Sequence, residues 1–409
     1  MNLLFAYSAR FVRDGESVYS EGHFGAAIWR RYRPHFDQVV VAARQGRVPP
    51  EKPASELELA SADGVSFELF PNFSSIRGLL VDRHRQRPRM RQLVSDADAV
   101  IARLPSEMGL LAIGCARELG KPWAVEVVGC PWDGLWHYGT IAGKLYAPIA
   151  WLRTRRAVGQ APFALYVTES FLQARYPCIG GQIAYASNVN LPKACSDVLD
   201  RRLDRIRNCV NRPLKIGLIG SLRTRAKGLH IAMEALAGIR GRVPSFTLHI
   251  LGGGRKQPWE ELAARHNIAD IVYLEGTLPM GEAVLEWLDD IDLYLQPSLQ
   301  EGLPRALIEA MSRGCPALAS RKAGIPELLP AQDLVAPSAA SALGKLVERR
   351  LGDRPWMVAR ARSNWETALR YQAEFLDEQR AQFWRSFVSS FSHCPPPLRE
   401  PTTSQEAAR

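Results

Sequence analysis

Short, continuous apolar runs recur along the whole chain, each ending in a polar or glycine-bearing turn, and most turns lead into stretches with apolar residues at helical spacing. A run that is apolar throughout, rather than at every second position, belongs to a strand buried on both faces, as in a parallel sheet covered by helices. In the first half such runs fall at residues 2–7, 38–42, 66–69, 99–101 and 123–128, with a helical stretch at 26–33. In the second half they fall at 215–219, 246–251, 271–274, 291–295 and 317–320. Residues 191–212 between them are polar and charge-rich, with Pro192 early and Pro213 just beyond. At 409 residues the chain is long for one core, and the pattern predicts two domains, 1–190 and 213–370, joined by a 191–212 linker. A further helical stretch carries Trp365, Phe375, Phe383, Trp384 and Phe387, and the proline-rich segment 393–409 reads as a disordered tail.

Apolar content of 46% and charged content of 23% are those of a globular protein. The formal net charge of +10 favours anionic partners: nucleotides, diphosphates or acidic lipid surfaces. Nucleic acid is not expected, because the most basic stretch, 77–91, has six arginines, one aspartate and no aromatic residue to stack a base. That stretch reads as a solvated connection or as a patch for a peripheral contact with an anionic inner membrane. The seven cysteines are scattered without a C-x-x-C pair, which speaks for a reducing, cytoplasmic setting and against a zinc site. The first residues read as a strand rather than a signal peptide, and no apolar run is long enough to span a bilayer.

The densest chemistry lies between Gln296 and Glu327. After the strand at 291–295 a polar turn carries Glu301-Gly302, and a helix is expected from Pro304 to Arg313, with Gly314 just past its end. The helix N-terminus between Glu301 and Glu309, reached through Gly302, Leu303 and Pro304, offers N–H groups and partial positive charge to a phosphate. A second strand leads to the turn Ala323–Glu327, which pairs another carboxylate with another expected anion seat. Earlier, the strand at 215–219 ends in Gly220 and a loop bearing Arg223, Arg225 and Lys227 ahead of a helix. Glycine allows close backbone approach there, and the cations match a diphosphate. The string EGLPRALIEAMSRGCP, followed by AGIPE, resembles the E-x7-E signature of family 4 retaining glycosyltransferases, which have the GT-B fold.

That resemblance implies two Rossmann-like β/α/β domains facing across a cleft, with a terminal helix, here 371–392, crossing back onto the first domain. It implies a donor domain in which Lys227 and either Arg223 or Arg225 hold the diphosphate of a UDP- or GDP-sugar; the family's usual arginine after the glycine is Ser221 here. Glu309 would hold the ribose and Glu301 the transferred sugar. Gly252 and Gly253 resemble a glycine loop of the family, and Thr277 and Leu278 the loop whose backbone meets the base. Gly22 and Gly25 match the glycine loop after the first strand. After the strand at 123–128, Asp133 and His137 are candidates to orient or deprotonate the acceptor hydroxyl; the family's histidine turn there is Gly129-Cys130 in this chain. The expected activity is metal- and cofactor-independent hexosyl transfer to a lipid-linked glycan in cell-surface polysaccharide assembly. A nucleotide-sugar epimerase and an inactive scaffold of the same fold are the alternatives.

Overall fold

The structure is a computed structural model describing residues 1–20, 24–47, 57–72, 78, 83–137, 140–209 and 212–392. The first sheet contains β1 (Asn2–Asp14), β2 (Ser17–Ser20), β3 (Gln38–Gln45), β4 (Glu58–Leu59), β5 (Val65–Phe70), β6 (Ala99–Leu104), β7 (Trp123–Val127), β8 (Phe163–Tyr166) and β9 (Gln182–Tyr185). Seven of these run parallel in the order β5-β3-β1-β6-β7-β8-β9. Both faces are covered. Leu3 and Phe5 enter one apolar cluster and Leu4 and Ala6 the other, so successive side chains of β1 serve opposite layers.

The second sheet is wholly parallel: β10 (Leu214–Ile219), β11 (Phe246–Leu251), β12 (Val272–Gly276), β13 (Leu293–Gln296), β14 (Ala317–Ser320) and β15 (Leu334–Val335), ordered β12-β11-β10-β13-β14-β15. The order reverses between β10 and β13. In open α/β sheets this reversal opens a crevice at the carboxyl ends of the strands, where ligands are held.

Several local expectations are revised. The chain does not turn after residue 7: β1 continues to Asp14 through a register shift between Ala6 and Arg10, then folds back on β2 about Gly15 at φ +57°. Burial of Phe11, Val12 and Val18 holds this hairpin in place. The stretch at 26–33 forms a 3-10 turn, Ala26–Arg31, which buries Trp29 against Phe5 and Phe67. Residues 191–212 are not a free polar linker. They include a helix, Ser196–Arg207, whose Val198, Leu203 and Ile206 are buried. Its arginines serve the second domain: Arg202 caps the carbonyls of Leu288 and Arg313, and Arg205 joins Arg212 around buried Asp292. Arg202, Arg205 and Arg212 thus hold the underside of the second domain, while Lys193, Asp197, Asp200, Arg201, Asp204 and Arg207 remain exposed.

The last helix, Ala373–Ser392, packs on the first domain. Trp384 meets Tyr32, and Phe383 and Phe387 meet Phe163 edge-on, while Arg380 donates to the carbonyl of Ser187. The Ala323–Glu327 turn, read from sequence as an anion seat, also joins the domains. The Glu327 carboxylate accepts the backbone N–H groups of Glu169, Ser170 and Phe171 at 2.8, 3.1 and 2.8 Å, and the Ser170 hydroxyl at 3.0 Å. It thereby satisfies the free N–H groups where the helix Phe171–Arg175 begins. Nearby, a Cβ added to Gly302 would stand 2.5 Å from the carbonyl oxygen of Val128 in the other domain.

Glu327→Ala leaves those three amides without their acceptor and is expected to destabilise the joined domains by about 3 kcal/mol. Scanning calorimetry should show a lower, broader transition than wild type; an unchanged transition would mean the clamp contributes nothing.

Candidate active site in the interdomain cleft

Four loops converge at the carboxyl edge of the second sheet, and backbone contacts set their spacing. After β10, the Gly220 N–H donates to the Leu251 carbonyl at 2.9 Å. A Cβ on Gly220 would lie 2.7 Å from the Cβ of Lys227, so the absent side chain lets the lysine stem cross the loop. After β11, Gly252 donates to Gly276 at 2.6 Å, and any Cβ on it would overlap the Gly220 carbonyl oxygen. Gly253 accepts from Leu222 N–H at 2.9 Å and faces the Thr277 methyl, so the loop after β12, which carries Thr277 and exposed Leu278, completes the stack. The loop after β13 is tied in by Leu299 N–H, which donates to Ala226 at 2.8 Å. Glycine is therefore required at position 252 by a backbone approach, not by a turn.

At the centre lies Glu301, only 8% exposed. Its Oε1 accepts from Lys227 Nζ at 2.7 Å, Ser298 Oγ at 2.7 Å and Gln296 Nε2 at 3.0 Å. Gln296 in turn donates to Ser298 Oγ and accepts from Tyr294 Oη at 2.9 Å, and Ser320 Oγ donates to the Ser298 carbonyl at 2.6 Å. Among the described residues no hydrogen bond is made to the second oxygen, Oε2. Gln296, Ser298 and Tyr294 were not singled out from the sequence. The available signal was polar atoms at the end of an otherwise apolar strand, where burial demands a partner.

Glu309 sits on the helix Arg305–Ser312, with Pro304 at its N-cap and Gly314 beyond its end at φ +59°. Burial raises the Glu309 carboxyl pKa above the ordinary value, against the pull of Arg305 one turn earlier. The Tyr294 phenol is pushed well above its usual range, first by burial and further by the charges of Glu309 and Glu301, so both carboxylates lie around this one ring. Arg223 and Arg225 are exposed on the loop before Lys227 and make no ion pair with a described residue. Lys227 and the two carboxylates thus meet at the point where the sheet order reverses.

Residues 213–353, most of this domain, match the family model described as "Glycosyl transferases group 1". That match and the likeness to solved structures show a GT-B fold whose second domain is similar to those of group 1 glycosyltransferases. The chain is similar over nearly its full length to the protein CapJ of Staphylococcus aureus, with 28% identity across 93% of this chain and 94% of the relative. The amylovoran biosynthesis glycosyltransferase AmsK of Erwinia amylovora is 36% identical over 31% of this chain and 32% of its own length. The structure of Anabaena HepE in complex with UDP and glucose aligns with a TM-score of 0.64 over 94% of this chain and 99% of that one, at 17% identity, a likeness of fold.

Facing the second domain is the short helix Pro131–His137. Asp133 on it is buried and pairs across the cleft with Lys322 Nζ at 3.0 Å. Its Oδ2 is buried without a hydrogen-bond partner among the described residues. His137 Nδ1 lies 2.9 Å from the Asp133 carbonyl oxygen, so its ring is held by its own helix. A Cβ on Gly134 would touch the Gln300 amide at 3.1 Å, which puts this helix directly beside the Glu301 loop. Of the two glycines expected after the first strand, which here follow β2, Gly22 lies outside the described residues, and the Gly25 N–H donates to the Glu58 carboxylate. Between the domains opens a cleft of about 1140 Å³. Its walls include seven arginines (10, 30, 31, 44, 103, 305 and 380) against four acidic residues, with Gly302 and Leu303 at the donor side.

Because the folded-state pKa of Glu309 lies above its unfolded value, folding is favoured by protonation there, and stability falls as pH rises through that window. Glu309→Gln is therefore expected to raise Tm at pH 7, with the gain vanishing below the ordinary glutamate range. A pH series of thermal melts measures this, and a gain persisting unchanged into acid would contradict it.

Proposed function

We propose that this glycosyltransferase moves a hexosyl group from a UDP- or GDP-sugar to a lipid-linked glycan during cell-surface polysaccharide assembly, with retention of anomeric configuration. The observation that carries this reading is the meeting of Lys227, Glu301 and Glu309 at the switch point of the second sheet. A UDP-bearing complex of the similarly folded HepE and the polysaccharide pathway named for AmsK support the donor class and the setting.

In this reading Lys227, with Arg223 or Arg225, neutralises the leaving diphosphate, where charge builds in the transition state. The N-terminus of the helix at Arg305, reached through Gly302, Leu303 and Pro304, adds its dipole. Glu309 holds the ribose, the backbone at Thr277 and Leu278 meets the base, and the free Oε2 of Glu301 accepts a hydroxyl of the transferred sugar. The acceptor hydroxyl attacks the anomeric carbon as the bond to the diphosphate breaks, and the departing phosphate oxygen takes the hydroxyl proton. In this reading the reaction needs neither a metal nor a covalent carboxylate intermediate. Asp133 and His137 line the approach, where Lys322 fixes Asp133 and so orients the incoming hydroxyl. The arginine-lined cleft suits an acceptor carrying a diphosphate.

Calorimetry against UDP-, GDP-, ADP- and dTDP-sugars, without added metal, tests the donor. Lys227→Ala and Glu309→Ala should each weaken the best donor by about tenfold or more, the loss of one charge-assisted contact. Glu301→Gln should lower kcat by roughly a hundredfold while changing donor Kd little. Unchanged donor affinity in both of the first two variants would overturn the site assignment.

A further inference from the structure

The helix Ile141–Gly159 has no acidic residue, and its apolar side chains are on the wrong face for a core. The inner face is small: Ala147, Ala150, Thr154, Ala157 and Val158 are buried. The outer face carries Ile141, Leu145, Ile149 and Leu152, which are 80, 73, 53 and 55% exposed. Their spacing of four, four and three residues aligns them in one stripe. Ile179, 75% exposed, extends it: its amide donates to the Gly159 carbonyl at 3.2 Å, and its side chain lies over Gly159. The stripe is therefore about 27 Å long, the rise of eighteen helical residues. Single exposed aliphatic residues are ordinary, but a contiguous row of five on one surface marks an interaction site.

What borders the stripe identifies its partner. Lys144 and Arg156 lie along the exposed side, and Lys144 stands over the half-exposed indole of Trp136, which stacks on Trp132. Such an indole suits a boundary that is apolar on one side and wet on the other. Next to this helix is the arginine-rich helix Arg83–Asp96: the charge of Arg83 acts on Arg153 and Tyr146 of the stripe-bearing helix. Arg87 and Arg89 of that helix are matched by Glu118 and Glu68, so the surplus charge rests on exposed Arg85 and Arg91. An apolar row with a cationic border and no carboxylate of its own is the pattern of a helix lying in an anionic lipid interface. Among the described residues no helix is long and apolar enough to cross a membrane, so this would be a contact in the plane of the surface.

We infer that the Ile141–Gly159 face docks this protein on anionic phospholipid bilayers. The surface differs from the basic 77–91 stretch, which supplies only part of its charge. The helix Pro131–His137, with Asp133 at the cleft and Trp136 at the stripe, links the two sites within a few residues. A docked protein therefore presents its cleft mouth close to the lipid plane, where a lipid-linked acceptor is found. That last step rests on the proposed acceptor; the docking itself does not.

The test is co-sedimentation of the full chain with phosphatidylcholine vesicles, with and without phosphatidylglycerol, at low and high salt. Wild type should sediment with the phosphatidylglycerol vesicles and be released by salt. The double variant Leu145→Glu/Ile149→Glu should bind them about tenfold or more weakly while keeping its Tm and nucleotide-sugar affinity, since both positions are exposed and remote from the donor loops. Lys144→Glu/Arg156→Glu should lose the preference for anionic over neutral vesicles. Absence of wild-type sedimentation, or equal sedimentation of the Leu145→Glu/Ile149→Glu variant, overturns the inference. So does light scattering showing a wild-type dimer that this variant converts to monomer without any vesicle binding, because the stripe would then be covered by a second copy. Failure to bind any nucleotide sugar would instead count against the transferase assignment and leave the docking result readable.

Discussion

A buried carboxylate with three donors on one oxygen governs this structure. Glu301 is removed from water, which is tolerable because Lys227, Ser298 and Gln296 converge on Oε1. Those donors come from two different strand-to-helix loops, so satisfying one charge fixes the distance between the loops after β10 and β13. The glycines at 220 and 252 serve the same geometry, since side chains there would hold the loops apart. The site's electrostatics and its shape thus have one cause.

The second constraint acts between domains. Glu327 caps a helix of the first domain, Lys322 reaches Asp133, and the Gly302 backbone lies against that of Val128. All three contacts leave the loops that follow β13 and β14. The Glu301 loop therefore lies between the switch-point crevice of the second sheet on one side and the first domain on the other, and the terminal helix packs on the first domain through Trp384 and Phe387. The position of Glu301 and the packing of the domains are coupled through a single short stretch of chain.

Much of this was legible beforehand. Two-faced burial appears in sequence as unbroken apolar runs, and ten of the fifteen strands follow from them, whereas the short strands β2, β4, β8, β9 and β15 do not. The helix at Arg305–Ser312, with Pro before it and Gly314 after it, obeys local stereochemistry that any such sequence would obey. The long β1 hairpin and the Ser196–Arg207 helix were not legible, because cross-strand pairing and domain capping, rather than local propensity, hold them. The clamp made by Glu327 in the Ala323–Glu327 turn was not legible for a related reason. A carboxylate near a turn reads the same whether it meets a ligand or a neighbouring helix.

Residue types and their spacing determined, by themselves, the fold class, the glycine–lysine loop, the paired glutamates and the excess of positive charge, since these depend on periodicity and on chemistry carried within a short segment. Only the tertiary structure decided which oxygen of Glu301 is taken, that Asp133 pairs with Lys322, that Glu327 clamps the domains, and that the apolar row of Ile141–Gly159 faces outward. Each of these is set by what stands opposite a side chain across a large separation in sequence, and no local pattern carries that information.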